Sequence, residues 1–496
     1  MHIVDKNLVL LALVCLGMIA SARDVWAHPR IIALEPPPGA RLTRAPSQVA
    51  ITFNEPIEAL STLALYSSQG ALAARGGERD PADPRRLVLK LPPLAPDLYT
   101  VGWTAAGSDG HVVRGMFVFT VLDASLAASD AAPAQMPVAP PASVVQPDRL
   151  PLVQSLIRWG LLLGATGAVG GWIFWPWVAV PVLGGTVIAS EAVRRWRRWS
   201  AGLILAVLIG TPLLFGLYVY ESTADLALLR PSLGTRQSLL LAVRMALAIA
   251  LLVLTATSVT AGAIQRRAPL ALLLGAALLL TFALAGHAGA KAEPAMPVLV
   301  NWLHLAATSI WAGGVLNLAL ALPLIRGTDG LPLINALLRR FTPLALGGAA
   351  ALALSGAAIA LREIPSLTAL QESAYGRALL VKLLCFGAML ALGAYHGLVA
   401  GPRLRAEARS WLARLRYSLL AEGGFALLAL GAAGTLTSLP PPVERRGRRS
   451  RPRRRRRWRR SCLPLPALSS IRSSRLATCE CGCASNQPVR ASTSSR

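Results

Sequence analysis

Tyr99-Thr100-Val101-Gly102-Trp103, Ser108-Asp109-Gly110-His111 and Met116-Phe117-Val118-Phe119-Thr120-Val121 follow one another closely in the chain. The two outer runs alternate apolar and polar residues and carry aromatic side chains, which is the pattern of paired strands with one buried face. The glycine turn between them holds a carboxylate and an imidazole two residues apart. Outward from this hairpin the same alternation recurs in Val49–Phe53, Leu63–Tyr66 and Leu87–Leu91, separated by turns rich in Pro and Gly. Residues 28–122 therefore predict an all-β domain, a small antiparallel sandwich of immunoglobulin-like or Greek-key type. The domain contains no cysteine, so its stability rests on its own apolar core.

Before this domain, residues 1–27 have the three parts of a secretory leader: Lys6, an apolar centre from Leu8 to Ala20, and the exit Val25-Trp26-Ala27. A competing exit at Ala20-Ser21-Ala22 would leave Arg23 first. Cleavage after Ala27 makes His28 the first residue, where it offers both an α-amine and a ring nitrogen to one metal ion. With the imidazole of His111 and the carboxylate of Asp109 the set is three nitrogens and one oxygen, which suits Cu(II). Pro29 supplies no backbone N–H, so copper cannot displace successive amide protons there, and a folded site is favoured. Both ring and amine bind metal only when deprotonated, so affinity should fall with pH. Taken singly, His28 reads as a frayed terminus and His111 as a surface-turn histidine.

Beyond the β-domain, residues 123–149 are rich in Ala, Pro and Ser and read as a linker. From residue 150 the pattern changes to eight apolar runs, near 152–175, 200–220, 237–260, 268–286, 298–322, 342–361, 378–400 and 417–438. Each is long enough, at about twenty residues, to cross a bilayer as a helix. The fold expected is thus mixed: an all-β domain followed by an all-α bundle of eight transmembrane helices. The composition agrees, because 54% of the 496 residues are hydrophobic and only 15% are charged, well under the roughly 25% of soluble domains.

The net charge of +26 raises the question of a nucleic-acid partner, and the distribution argues against one. The arginines lie between apolar runs or in one block near the C-terminus. With the β-domain outside, the inner loops hold fourteen basic residues, such as Arg194, Arg195, Arg197 and Arg198, and the outer loops five. That asymmetry predicts a multi-pass protein of a bacterial inner membrane with its N-terminal domain in the periplasm. The tail 443–496 runs against this topology, since Arg445 to Arg460 is almost continuously basic on what should be the outer side. It reads as disordered or as a frameshifted translation. Its Cys479-Glu480-Cys481-Gly482-Cys483 fits no structural zinc spacing.

These residues resemble two known families joined in one chain. His28, Phe53-Asn54-Glu55-Pro56, Tyr99, Trp103, Ser108-Asp109-Gly110-His111, Gly115 and Phe117-Val118-Phe119 resemble the CopC family of periplasmic copper-resistance proteins. Gly286-His287, Trp302-Leu303-His304, Trp311-Ala312-Gly313-Gly314, Arg340-Phe341-Thr342 leading to Ser355-Gly356, Tyr375-Gly376-Arg377, Lys382, and Glu422 with Leu439-Pro440-Pro441-Pro442 resemble the CopD family of copper-resistance membrane proteins. The likeness implies copper homeostasis, with His28, Asp109 and His111 as metal ligands and Glu55 either bonding to a ligand ring or serving a structural role. Residues 30–115 hold no Met, unlike members with a Met-rich loop, so a thioether site for Cu(I) is not expected in this domain. The tail matches neither family.

In the membrane half, His287, Met296, His304 and His396 are candidates for a copper path, because coordinating groups inside a bilayer are costly and mark function by default. The plainer reading of each is an interhelical hydrogen bond. The expected function is capture of Cu(II) by the exported domain and movement of copper by the bundle toward the cytoplasm, with copper delivered by a periplasmic donor. No nucleotide-binding loop is visible and no enzymatic activity is expected. Three other classes compete. One is sequestration with the bundle as anchor. The second is an oxygen-using copper enzyme, since a terminal His chelate with a second His resembles the copper brace of oxidative polysaccharide-cleaving enzymes. The third is haem-based redox chemistry through His287, His304 and His396. The sequence leaves the oligomeric state open.

Overall fold

The computed structural model describes residues 29–107, 112–123, 151–223, 233, 235–290, 294–325, 330–364, 366–400, 403 and 408–439. The leader, His28, the Ser108–His111 turn, the linker and the tail lie outside the described residues.

Nine strands build the N-terminal domain among the described residues. A four-stranded sheet has the order β1 (Ile31–Glu35), β3 (Gln48–Phe53), β7 (Arg86–Lys90), β6 (Glu78–Arg79). A five-stranded sheet has the order β2 (Arg41–Leu42), β9 (Val112–Val121), β8 (Asp97–Ala106), β4 (Thr62–Tyr66), β5 (Leu72–Gly76). All pairings are antiparallel except β2 with β9. The two sheets face each other across Val49, Ile51, Phe53, Leu63, Leu65, Leu87, Val101, Trp103, Phe117 and Phe119, all buried. Alternation along each strand accounts for this: Tyr99, Val101, Trp103 and Ala105 are buried while Thr100, Gly102 and Thr104 between them are half-exposed. Successive side chains of a strand point to opposite faces, and only one face meets the other sheet.

The centre of this core is Trp103. Its ring stands edge-on to Phe53 at 5.8 Å and 64°, a favoured geometry for aromatic quadrupoles. Its cross-strand partner is Gly115, where a Cβ would come within 2.5 Å of Trp103 Cζ2. The indole thus occupies the volume that any other residue at 115 would need.

Eight helices are long and apolar enough to cross a membrane among the described residues: α1 (Leu152–Leu183), α2 (Ala189–Ser222), α3 (Arg236–Thr257), α4 (Ala261–Ala285), α5 (Ala295–Leu324), α6 (Leu331–Glu363), α7 (Ala374–Ala400) and α8 (Ala413–Leu436). They coincide with the eight apolar runs, and α2 and α6 extend well beyond them at their N-terminal ends. The extra turns contain Arg194, Arg195, Arg197 and Arg198 in α2 and Arg339 and Arg340 in α6. Charged residues end a hydropathy run without ending a helix, because Arg is a good helix former. Helix α1 is the central one, with Trp172, Phe174 and Trp175 fully buried and Trp196 of α2 packed 5.0 Å from Trp172. Against α5 its backbone makes direct contact: a Cβ on Gly170 would lie 2.4 Å from Ser309 O, and one on Gly313 2.4 Å from Thr166 O. Small residues that let helix backbones approach are the usual device for packing in lipid, where burial of apolar surface gives no driving force.

The β-domain rests on the bundle. Leu60 and Ala106 pack with Phe215, Tyr218 and Val219 of α2, and the Tyr218 hydroxyl donates to Gly107 O at 3.5 Å.

Candidate functional site

The three expected copper ligands of the β-domain, His28, Asp109 and His111, lie outside the described residues. Their described neighbours converge on one segment. Arg30 and Asn54 bond reciprocally, Asn54 N to Arg30 O at 2.9 Å and Arg30 N to Asn54 Oδ1. On the other side, Gly107 bridges to Ile57, and Ala106 pairs with Val112 across the hairpin. The segment Asn54–Ile57 is therefore tied both to the residues that follow His28 and to the strand end that precedes Ser108. Glu55, in the middle of that segment, is buried at 5% exposure. Met116 is exposed.

Beneath the β-domain a cavity of about 530 Å³ runs into the bundle. It is lined from all eight helices and floored by Trp311, Phe386 and Met389. Two of the residues that seat the β-domain, Phe215 and Tyr218, also line it. Of the four candidates in the membrane half, His287 and His304 line this one cavity. Met296 is not among its lining residues and is 49% exposed. His396 is elsewhere as well.

His304 is buried, and both ring nitrogens are engaged. Nδ1 is 3.0 Å from Ser355 Oγ, and Nε2 is 3.1 Å from Lys382 Nζ. Ser355 donates its own proton to Ala351 O at 2.6 Å, so its oxygen accepts from the ring. That assigns the proton of a neutral ring to Nδ1 and leaves the Nε2 lone pair to accept from Lys382. The packing is close, since a Cβ on Gly356 would lie 3.3 Å from His304 Cε1. This contact joins α5, α6 and α7.

His396 begins a single π-helical turn, His396–Ala400, at the end of α7. Its Nε2 is 2.8 Å from Ser418 Oγ and its Nδ1 is 3.3 Å from Glu422 Oε2. Both partners belong to α8, so the ring acts as an interhelical fastener, the plainer of the two readings the sequence allows for it.

Sequence reasoning passed over two features of the cavity. Lys382 stands out in the sequence only through a family resemblance, and its contact with His304 spans 78 residues of sequence. Met389, 3% exposed, sits in an unbroken apolar run where nothing distinguishes a thioether ligand from packing. Among the described residues no three His, Cys, Asp or Glu side chains form a cluster able to hold a metal ion.

The chain matches the CopC domain family over residues 31–122 and the family described as copper resistance protein D over residues 335–436. Over 449 residues it is 30% identical to the copper transport protein CutJ of Bacillus subtilis (strain 168), which covers 86% of this chain and 77% of that one. Over 184 residues it is 34% identical to copper resistance protein D of Pseudomonas syringae pv. tomato, covering 35% of this chain and 59% of that one. The crystal structure of CopC from Methylosinus trichosporium OB3b is 30% identical, covers 19% of this chain and 95% of its own, and gives a TM-score of 0.19.

Proposed function

Because this chain belongs to the copper transport protein family that joins a CopC domain to a CopD domain, we propose that it captures copper in the β-domain and carries it across the bacterial inner membrane through the bundle. The captured ion is Cu(II), held by the amine and ring of His28, the ring of His111 and the carboxylate of Asp109, with Glu55 bonding to a ligand ring. The β-domain faces the periplasm, and transport runs toward the cytoplasm. The protein is a carrier, without a turnover of its own.

One observation carries this reading: Phe215 and Tyr218 belong at once to the seat of the β-domain and to the wall of the cavity. The strand end at Gly107, next to the Asp109 and His111 turn, is bonded to Tyr218. Tyr218, which holds that strand end, lines the cavity together with His287 and His304. Met389 on the floor adds a soft sulfur ligand of the kind that suits Cu(I).

N-terminal sequencing of the membrane-extracted protein together with Cu(II) EPR tests the capture site. A chain beginning at His28, with nitrogen couplings in the spectrum, is expected. A start at Arg23, or a spectrum without nitrogen couplings, overturns the ligand set. Copper accumulation in proteoliposomes tests the transport step. The engaged ring of His304 favours a second reading, capture with the bundle as anchor, and absence of accumulation would establish that reading.

A further inference from the structure

The wall of the cavity is electrically lopsided. Arg158, Arg244, Arg362 and Lys382 line it, against Glu363 as the only acidic lining residue among the described residues. Two of these cations stand out because their partners are all neutral. Arg244, 7% exposed on α3, donates from Nε to Thr281 Oγ1 at 3.0 Å and from an Nη to Thr281 O at 3.0 Å. Its guanidinium also lies 3.9 Å over the Phe282 ring. Lys382, on α7, has His304 Nε2 as its single hydrogen-bond partner among the described residues, which leaves two of its three N–H donors without an acceptor among those residues. Neither cation has a carboxylate partner among the described residues. Both line the one cavity, each about 12 Å along its helix from that helix's N-terminal end. A buried cation without a counter-charge is one of the more costly arrangements available inside a bilayer. A bare copper cation in the same space would add to the imbalance.

We propose that the cavity is a binding site for an oxyanion, a carboxylate- or phosphate-bearing molecule whose charged group pairs with Lys382 and Arg244. The space of about 530 Å³ exceeds that needed by a metal ion or an inorganic anion, and apolar residues such as Leu161, Leu241 and Phe386 line it beside the cations. Its occupant therefore has an apolar or extended body as well as an acidic head. The same chemistry is offered by the headgroup of an anionic lipid and by a soluble polycarboxylate. On the copper transport reading there is a further consequence. An oxyanion that draws the Lys382 ammonium away from His304 exposes the Nε2 lone pair, so anion and copper favour each other in the same cavity, and reciprocally.

The test uses the full chain, free of copper, in nanodiscs of zwitterionic phosphatidylcholine, so that its result is independent of whether copper is transported. The thermal midpoint is followed with citrate at constant ionic strength against chloride, and separately in discs doped with phosphatidylglycerol. A rise with citrate assigns the site to a soluble acid, and a rise with phosphatidylglycerol alone assigns it to a lipid. Lys382→Met and Arg244→Met should each weaken the effective anion affinity about tenfold or more, as loss of a charge-assisted hydrogen bond does. Because each variant loses hydrogen bonds along with its charge, the shift of each is read against its own midpoint without anion. Native mass spectrometry of the unaltered chain, looking for retained citrate or phosphatidylglycerol, gives a measurement that needs no variant. No shift beyond chloride and no retained anion overturns the proposal, and so does an undiminished shift in both variants.

Discussion

The ammonium of Lys382 lies 3.1 Å from Nε2 of His304 and occupies the ring lone pair that a metal would need. With Ser355 on the opposite nitrogen at 3.0 Å, the imidazole is held at both ends. Lys382→Met should therefore raise binding of Ag(I), a redox-inert stand-in for Cu(I), to the bundle, and His304→Ala should abolish the gain. Equilibrium dialysis of the full chain with its β-domain ligands substituted measures both. Ser355→Ala strands a buried ring N–H and should cost about 1–3 kcal/mol, seen as a lower thermal midpoint.

In the β-domain, Gly115→Ala would place a methyl group where the Trp103 indole lies, 2.5 Å from Cζ2. Overpacking of this kind typically costs about 1–3 kcal/mol. Hydrogen exchange across Asp97–Val121 should show the loss as faster amide exchange, with the helices of the bundle unaffected.

Glu58 sits where the β-domain meets the bundle, and burial raises its carboxyl above the usual range, partly offset by Arg79 and Arg236. A raised folded value means that the folded state binds the proton more tightly than the unfolded chain. Stability contributed by this group is then present below the ordinary carboxyl value of 4.5 and is lost as pH rises through the folded value. Glu58→Gln, which stays neutral, should flatten that decline. Thermal midpoints of parent and variant between about pH 4 and pH 7 test it, and parallel curves would count against the assignment.

At the capture site, His28→Ala and His111→Ala should each remove most of the Cu(II) affinity, whereas Met116→Leu should leave it unchanged, its side chain being exposed at 56%. Competition titration against a chromophoric chelator reads the three in parallel. Affinity should also fall as pH drops through the amine and imidazole values of about 8 and 6.5. Equal losses in all three variants would contradict the ligand set.

His396→Ala should destabilise the bundle by about 1–3 kcal/mol, because it leaves Ser418 and the buried Glu422 without their ring partner. Copper uptake per folded molecule should be unchanged, since His396 does not line the cavity. A selective loss of uptake at full stability would return it to the copper path.

The sequence carries the two-part architecture plainly, because each part has its own period. Alternation in Tyr99–Trp103 and Met116–Val121 marks buried strand faces, and runs of about twenty apolar residues mark membrane helices. The short strands β2, β5 and β6 carry too little pattern to be read, and β2 pairs in parallel with β9, which periodicity alone does not reveal. Grouping His287 with His304 was legible from their places at neighbouring span ends. The partners of His304 and His396 were not, because Ser355, Lys382, Ser418 and Glu422 come from helices whose mutual rotation no local pattern encodes. Met296 shows the converse: its position beside the span suggests a ligand, yet its side chain is half-exposed away from the cavity.

The glycine contact between α1 and α5 has a mechanical consequence. Where Gly170 and Gly313 bring two backbones together without side chains between them, a slide of even one residue would drive a Cβ into the opposing chain. These two helices are thus keyed to each other and can only travel as one piece. Any rocking that turns the copper route toward the opposite face has to carry this pair as a single spine.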